Sequence, residues 1–179
     1  MVLPGIDVLL VDKASLVRGR RVGVVCHPAS VAADLTHVVD RLAQAGVKLT
    51  RFFGPEHGIR GEAQDMIGVG EERDARTGVP VTSLYGDSPE SLEPKPADLA
   101  DVDVLLVDLQ DIGSRYCTFI WTMALCLRAA ARAGVQVVVL DRPNPLGGRA
   151  EDVEGGDVEA DAESFVGLAS VPVRHGLTI

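Results

Sequence analysis

Nowhere does this chain stay apolar for the ~18–20 residues that a membrane span requires. Its amino terminus has neither the cationic start nor the long apolar run of a secretion signal, so the cytoplasm is the expected location. Its 17 Lys and Arg form no basic run and are outnumbered by 26 Asp and Glu, giving a net charge of −9. That balance argues against nucleic acid as a partner, because proteins that grip a phosphate backbone present a basic face. Cysteine is sparse too. Cys26, Cys117 and Cys126 are too few and too scattered for a disulfide framework or a zinc spacing. Reduced thiols are expected, with Cys126 in the core.

Missing motifs narrow the chemistry. The turn Cys26-His27-Pro28-Ala29-Ser30 lacks the glycine fingerprint of a dinucleotide fold, and the glycine-containing stretch 54–61 lacks the Gly-Lys-Ser/Thr ending of a phosphate loop. There is no Gly-x-Ser-x-Gly nucleophile elbow and no His-Glu-x-x-His zinc site. Neither a cofactor nor a metal is expected. A hard ion on the oxygens of Asp108 and Asp141 is the alternative.

What is present reads as α/β. A chain of 179 residues with 46% hydrophobic content is one ordinary domain able to bury a full core. A short helix is expected within 6–17 and a strand over 22–26. A second helix follows Asp34 as N-cap, with Leu35, Val38, Val39 and Leu42 inward and Gly46 past its end. Strands are expected over 47–53, 79–84, 102–107 and 135–140, and a sixth over 170–173. Residues 61–78 read as a charged surface excursion, a candidate lid. The strongest helix spans 118–133, with Ile120, Met123, Ala124, Leu127 and Ala131 along one stripe and Gly134 as its stop. The steps Ala45-Gly46-Val47 and Ala133-Gly134-Val135 both look like the helix-to-strand turn of a parallel sheet. The expected fold is Rossmann-like: a mainly parallel sheet with helices on both faces.

Each expected strand runs into polar side chains: Cys26-His27, Glu56-His57, Tyr85, Asp108 with Gln110 and Asp111, Asp141 with Arg142 and Asn144, and Arg174-His175. In open α/β sheets ligands bind at that carboxyl edge. Helix capping or turn formation explains any one such cluster, but their convergence on one edge points to a site. The densest is Gly54-Pro55-Glu56-His57-Gly58-Ile59-Arg60-Gly61, which sets an acid, an imidazole and a guanidinium among three glycines. Elimination leaves acid–base work by carboxylates.

That stretch, together with Ser-Leu-Tyr-Gly at 83–86, Asp-Leu-Gln-Asp-Ile-Gly-Ser-Arg-Tyr at 108–116, Leu-Asp-Arg-Pro-Asn-Pro-Leu-Gly-Gly at 140–148 and Pro-Val-Arg-His-Gly-Leu-Thr-Ile at 172–179, resembles the NamZ-type exo-β-N-acetylmuramidases. The resemblance implies a glycoside hydrolase that releases terminal N-acetylmuramic acid from the non-reducing end of peptidoglycan fragments, in cell-wall turnover or recycling. It implies Glu56 as catalytic carboxylate and Tyr85 as its partner. A glutamic acid in a partly desolvated crevice can hold the proton a leaving sugar needs. The anomeric centre can be met by a nucleophile, an activated water or the substrate's own acetamido oxygen, and these stay open.

Around that pair, His57, Asp108 and Gln110 are expected to orient Glu56 or hold sugar hydroxyls, with Asp141 beside them. The lactyl carboxylate of muramic acid asks for an arginine fork. Arg60, Arg115 and Arg142 are the candidates, Arg60 and Arg115 first. For Asp111 and Arg115, spaced i, i+4, a surface ion pair is the alternative. Asn144, between two prolines, reads as a turn residue.

Two features depart from the family pattern. Cys117 stands where an aromatic residue is usual, and the chain stops at Ile179 inside a motif that elsewhere runs on. Residues 1–179 are therefore expected to form a Rossmann-like catalytic domain whose C-terminal companion is absent from this chain, with self-association through the surface left bare. The competing expectations are a non-catalytic sugar- or muropeptide-binding domain and a metal-dependent hydrolase.

Overall fold

Every residue of Val22–Cys26 (β1) is buried, which only a central strand covered on both faces allows. The computed structural model describes residues 2–56, 58–59, 72–86, 88–159 and 161–179. Among these, β1 is flanked by Leu49–Gly54 (β2) and Val104–Asp108 (β5), both parallel to it. Pro80–Ser83 (β4) and Gln136–Val139 (β6) extend the parallel sheet outward, and Glu72–Arg73 (β3) adds a short antiparallel edge. The order is β3-β4-β2-β1-β5-β6. The Rossmann-like, mainly parallel fold is thus the observed one.

The side-chain alternation of a strand builds two cores from this sheet. Val22, Val24, Cys26, Val104 and Leu106 point to the face covered by Gly5–Asp12 (α1) and Val38–Gln44 (α2), where Ile6, Leu9, Val38, Val39 and Leu42 meet them. Val25, Leu105 and Val107 point to the other face, against Pro96–Leu99 (α3) and Phe119–Ala133 (α4) through Leu99, Cys126, Ala129 and Ala130. The adjacent Phe52 and Phe53 enter opposite cores and rivet β2 to both layers. Each such buried side chain contributes about 1.5–3 kcal/mol.

Five expectations need correction. Asp34 does not cap α2: its carboxylate accepts the Thr36 N–H in a local turn, and the helix starts only at Val38. Leu35, expected on the inner face, has φ +64° in that turn and is 79% exposed. The buried stripe of α4 is Trp121, Thr122, Cys126, Ala129 and Ala130. Small residues let the helix approach the sheet closely, which turns Leu127 and Ala131 outward. No strand forms at 170–173. Pro172 has no N–H to give a ladder, and the Val173 carbonyl instead accepts the Arg115 N–H at 2.8 Å, beside isolated bridges from Arg174 to Ser114 and Glu154. Finally, β3 lies within the stretch read as irregular. The first helix, expected within 6–17, ends at Asp12 and is followed by a single 3-10 turn over Ala14–Leu16, and the strand boundaries moved by one or two residues.

No helix among the described residues is long and apolar enough to cross a membrane.

Candidate active site at the carboxyl edge

Because β1, β2, β4, β5 and β6 are parallel, their carboxyl ends share one edge of the sheet. The winding direction reverses between β1 and β5, where a ligand crevice is the usual outcome. Here that point is knitted shut. The Ser30 hydroxyl accepts the His27 N–H at 2.9 Å and donates to the Asp108 carbonyl, while His27 Nε2 accepts the Gln110 N–H at 2.9 Å. His27 is buried, with its ring tilted against Phe119 at 4.6 Å. Burial, then the nearby charges of Arg142 and His37, lower its pKa to about 4, so it is neutral at ordinary pH.

Asp108 and Arg142 face each other across the same edge. Arg142 Nε donates to Asp108 Oδ1 at 2.5 Å, and its Nη2 donates to Oδ2 at 3.1 Å and to the Val31 carbonyl at 2.8 Å. Both side chains are almost fully enclosed. Burial pushes the Asp108 carboxyl up, and the guanidinium fork opposes that shift. Asp141 is exposed, and its Oδ1 accepts the Arg142 N–H at 2.9 Å. The Gln110 amide donates to the Asp111 and Pro143 carbonyls at 2.7 and 3.2 Å. These predicted substrate ligands are therefore engaged chiefly with one another and with the backbone.

Arg115 is tied down as well: its Nη1 donates to the carbonyls of Gly156 and Val171 at 2.7 and 2.6 Å. It makes no ion pair with Asp111, contrary to the alternative expected from their spacing. Asp111 is buried instead, accepting the Gly113 N–H at 2.8 Å and facing His175 Nε2 at 3.1 Å, close but not aligned as a hydrogen bond. His175 Nδ1 accepts the Leu177 N–H, which puts the ring proton on Nε2, toward the carboxylate. Asn144 is a turn residue, holding the Leu146 N–H and the Leu177 carbonyl.

Glu56 and Tyr85 leave the sheet at neighbouring strand ends. Gly54 pairs with Ser83, so each stands two residues beyond a paired position on adjacent strands, which run about 4.8 Å apart. The Leu84 N–H donates to the Gly54 carbonyl at 2.7 Å, prolonging the contact past the ladder. Both residues are partly buried. Glu56 Oε2 accepts the Thr118 hydroxyl at 3.2 Å, which brings the amino end of α4 to the carboxylate. Cys117 lies beside them: burial raises its thiol pKa, and the carboxylates of Asp111 and Glu56 add to the rise. His57 and Arg60 lie outside the described residues.

A cavity of about 560 Å³ opens elsewhere, between α1, β6 and residues 176–178. It touches Lys13, Asp141 and Arg142 but neither Glu56 nor Tyr85. Among the described residues no three His, Cys, Asp or Glu side chains gather as metal ligands. Sequence reasoning missed Thr118 and Ser30, both of which act on residues far away in the chain.

Comparison with known proteins places the fold in a family. A chain 47% identical over 176 residues, covering 98% of this chain and 41% of the relative, is the peptidoglycan beta-N-acetylmuramidase NamZ of Bacillus subtilis (strain 168). Crystal structures of two DUF1343 family proteins from Bacteroides fragilis NCTC 9343 superpose with TM-scores of 0.87 and 0.81 at 41% and 28% identity. Each covers 98% of this chain, which in turn spans 43% and 44% of theirs. The chain thus spans less than half the length of these relatives. Residues 22–179 match the family described as "Exo-beta-N-acetylmuramidase NamZ, N-terminal", and the chain belongs to that family.

Proposed function

We propose that this chain carries the catalytic edge of an exo-β-N-acetylmuramidase. Its substrates are peptidoglycan-derived saccharides, from whose non-reducing end it releases N-acetylmuramic acid during cytoplasmic cell-wall recycling. The observation that carries the reading is the departure of Glu56 and Tyr85 from paired positions of adjacent strands.

Glycosidic cleavage needs a proton on the leaving oxygen and a group facing the anomeric carbon. In this reading Glu56 supplies the first and Tyr85 stands for the second, whether as nucleophile or by orienting water or the acetamido oxygen. Asp108 and Arg142 hold the edge rigid, so that the reacting groups sit on a fixed scaffold. With Arg115 and Arg142 bonded to other groups, Arg60 takes the lactyl carboxylate, and His57 and Gln110 contact the sugar. We also assign self-association to apolar side chains left exposed on this chain, Ile112, Tyr116, Leu146 and Leu177 among them, since bare apolar surface favours association.

The test is product analysis. Saccharides ending in non-reducing N-acetylmuramic acid should release that sugar, whereas those ending in N-acetylglucosamine should not. Binding of both without release would overturn the proposal.

A further inference from the structure

Thr118 stands immediately before α4, where a threonine ordinarily turns its hydroxyl back to accept an N–H of the first helical turn. It makes no such bond, and its φ of −68° and ψ of −13° are helical rather than the extended geometry of a capping residue. The threonine hydroxyl is thereby left for another partner, and it donates to Glu56 Oε2, 62 positions away in the chain.

The contact is held from the helix side. The Thr118 carbonyl accepts the N–H groups of Trp121 and Thr122 at 3.1 and 2.9 Å and the Thr122 hydroxyl at 3.2 Å. Just upstream, the Trp121 indole N–H donates to the Arg115 carbonyl at 2.9 Å, and the Cys117 N–H to that of Ser114 at 2.9 Å. A β-branched side chain on so restrained a backbone has little freedom about χ1.

We propose that Thr118 is the positioning residue of the Glu56 carboxyl, an inference that rests on reading Glu56 as the catalytic acid. A hydroxyl donating to Oε2 leaves Oε1 to carry the proton. When the Oε1–H bond breaks, the proton goes to the glycosidic oxygen, which keeps the electron pair of the breaking C1–O bond; C1 takes a new pair from the nucleophile, water or acetamido oxygen on its other side, and Glu56 becomes a carboxylate. The Thr118 hydrogen bond then becomes charge-assisted and strengthens as the proton leaves. It is thus stronger late in the reaction than at its start, the kind of interaction that raises kcat rather than lowering KM.

The experiment compares wild type, Thr118→Val, Thr118→Ser and Glu56→Gln in the full-length native protein, using a chromogenic N-acetylmuramide across pH. Thr118→Val keeps shape and removes the donor. It should lower kcat by about 10- to 100-fold with KM within about 3-fold. Without that donor the carboxylate is less favoured, so the alkaline limb of kcat, where the acid loses its proton, should move to higher pH. Thr118→Ser should restore most of both. A wild-type kcat in Thr118→Val, or a lowered kcat with the limb unmoved and a reduced melting temperature, would overturn the proposal. Full turnover by Glu56→Gln would instead overturn the role of Glu56, and the role of Thr118 would fall with it.

Discussion

The imidazole of His27, at the end of β1, accepts the backbone N–H of Gln110, beyond the end of β5, at 2.9 Å. The bond exists only while the ring is neutral, because a protonated imidazole has no acceptor. The folded pKa is about 4 against an ordinary 6.5, with burial as the main cause. Between these values the unfolded chain binds a proton that the folded chain does not, so stability falls as pH drops from about 6.5 to about 4 and is fully present above that window. The shift corresponds to about 3 kcal/mol. His27→Gln, whose side-chain oxygen can accept the same N–H, should show a flatter dependence of urea midpoint on pH across this window. An unchanged slope would mean that other groups cause the acid sensitivity.

Arg142 and Asp108 form a buried pair with side chains 6% and 1% exposed. Arg142→Met leaves a carboxylate in apolar surroundings and should cost about 3–5 kcal/mol. Adding Asp108→Leu should recover a large part of that loss, since replacing both charges by apolar groups is often close to neutral. Urea unfolding of the two single variants and the double variant gives the coupling directly. Additive losses would show that the pair is not coupled.

Among the arginines, Arg60 and Arg115 should behave differently. Arg115 holds the carbonyls of Gly156 and Val171, so Arg115→Ala should lower stability and weaken muramic-acid and glucosamine ligands alike. Arg60→Ala should weaken muramic-acid ligands about 10- to 100-fold while leaving glucosamine analogues little changed, the size expected from a lost charge-assisted pair. Equal losses on both ligand types for Arg60→Ala would remove it as the lactyl-carboxylate partner.

The exposed side chains of Tyr116 and Leu177 should contribute to self-association. Sedimentation velocity over a concentration series should show association that Tyr116→Ser with Leu177→Ser abolishes. A monomer at every concentration would contradict this assignment.

The parallel sheet was legible because β1 and β5 are apolar on both faces, a pattern that fits only strands covered on either side. The end of α4 was equally plain: Gly134 has φ +68°, a conformation that costs a residue with a Cβ, and its N–H closes the helix on Ala130 and Ala131. Which face of α4 turns inward was not legible, since periodicity favours the larger side chains while close packing chose Ala129, Ala130 and Cys126. The strand read at 170–173 ignored Pro172. At the site, Glu56 and Tyr85 stood out through glycine-bounded motifs at strand ends. The hydroxyl of Thr118 and the pairing of Asp111 with His175 join residues far apart in the chain, and no local spacing announces such contacts.

The central claim is that Glu56 performs chemistry rather than only holding sugar. The most direct measurement compares Glu56→Gln with wild type in both hydrolysis of a chromogenic N-acetylmuramide and equilibrium binding of N-acetylmuramic acid. The amide keeps an acceptor for the Thr118 hydroxyl but has no carboxyl proton to give. A loss of kcat of at least about 100-fold is expected, the contribution of a positioned general acid, with Kd changed less than about 3-fold. Turnover near wild type, or loss of binding in step with loss of turnover, would contradict it.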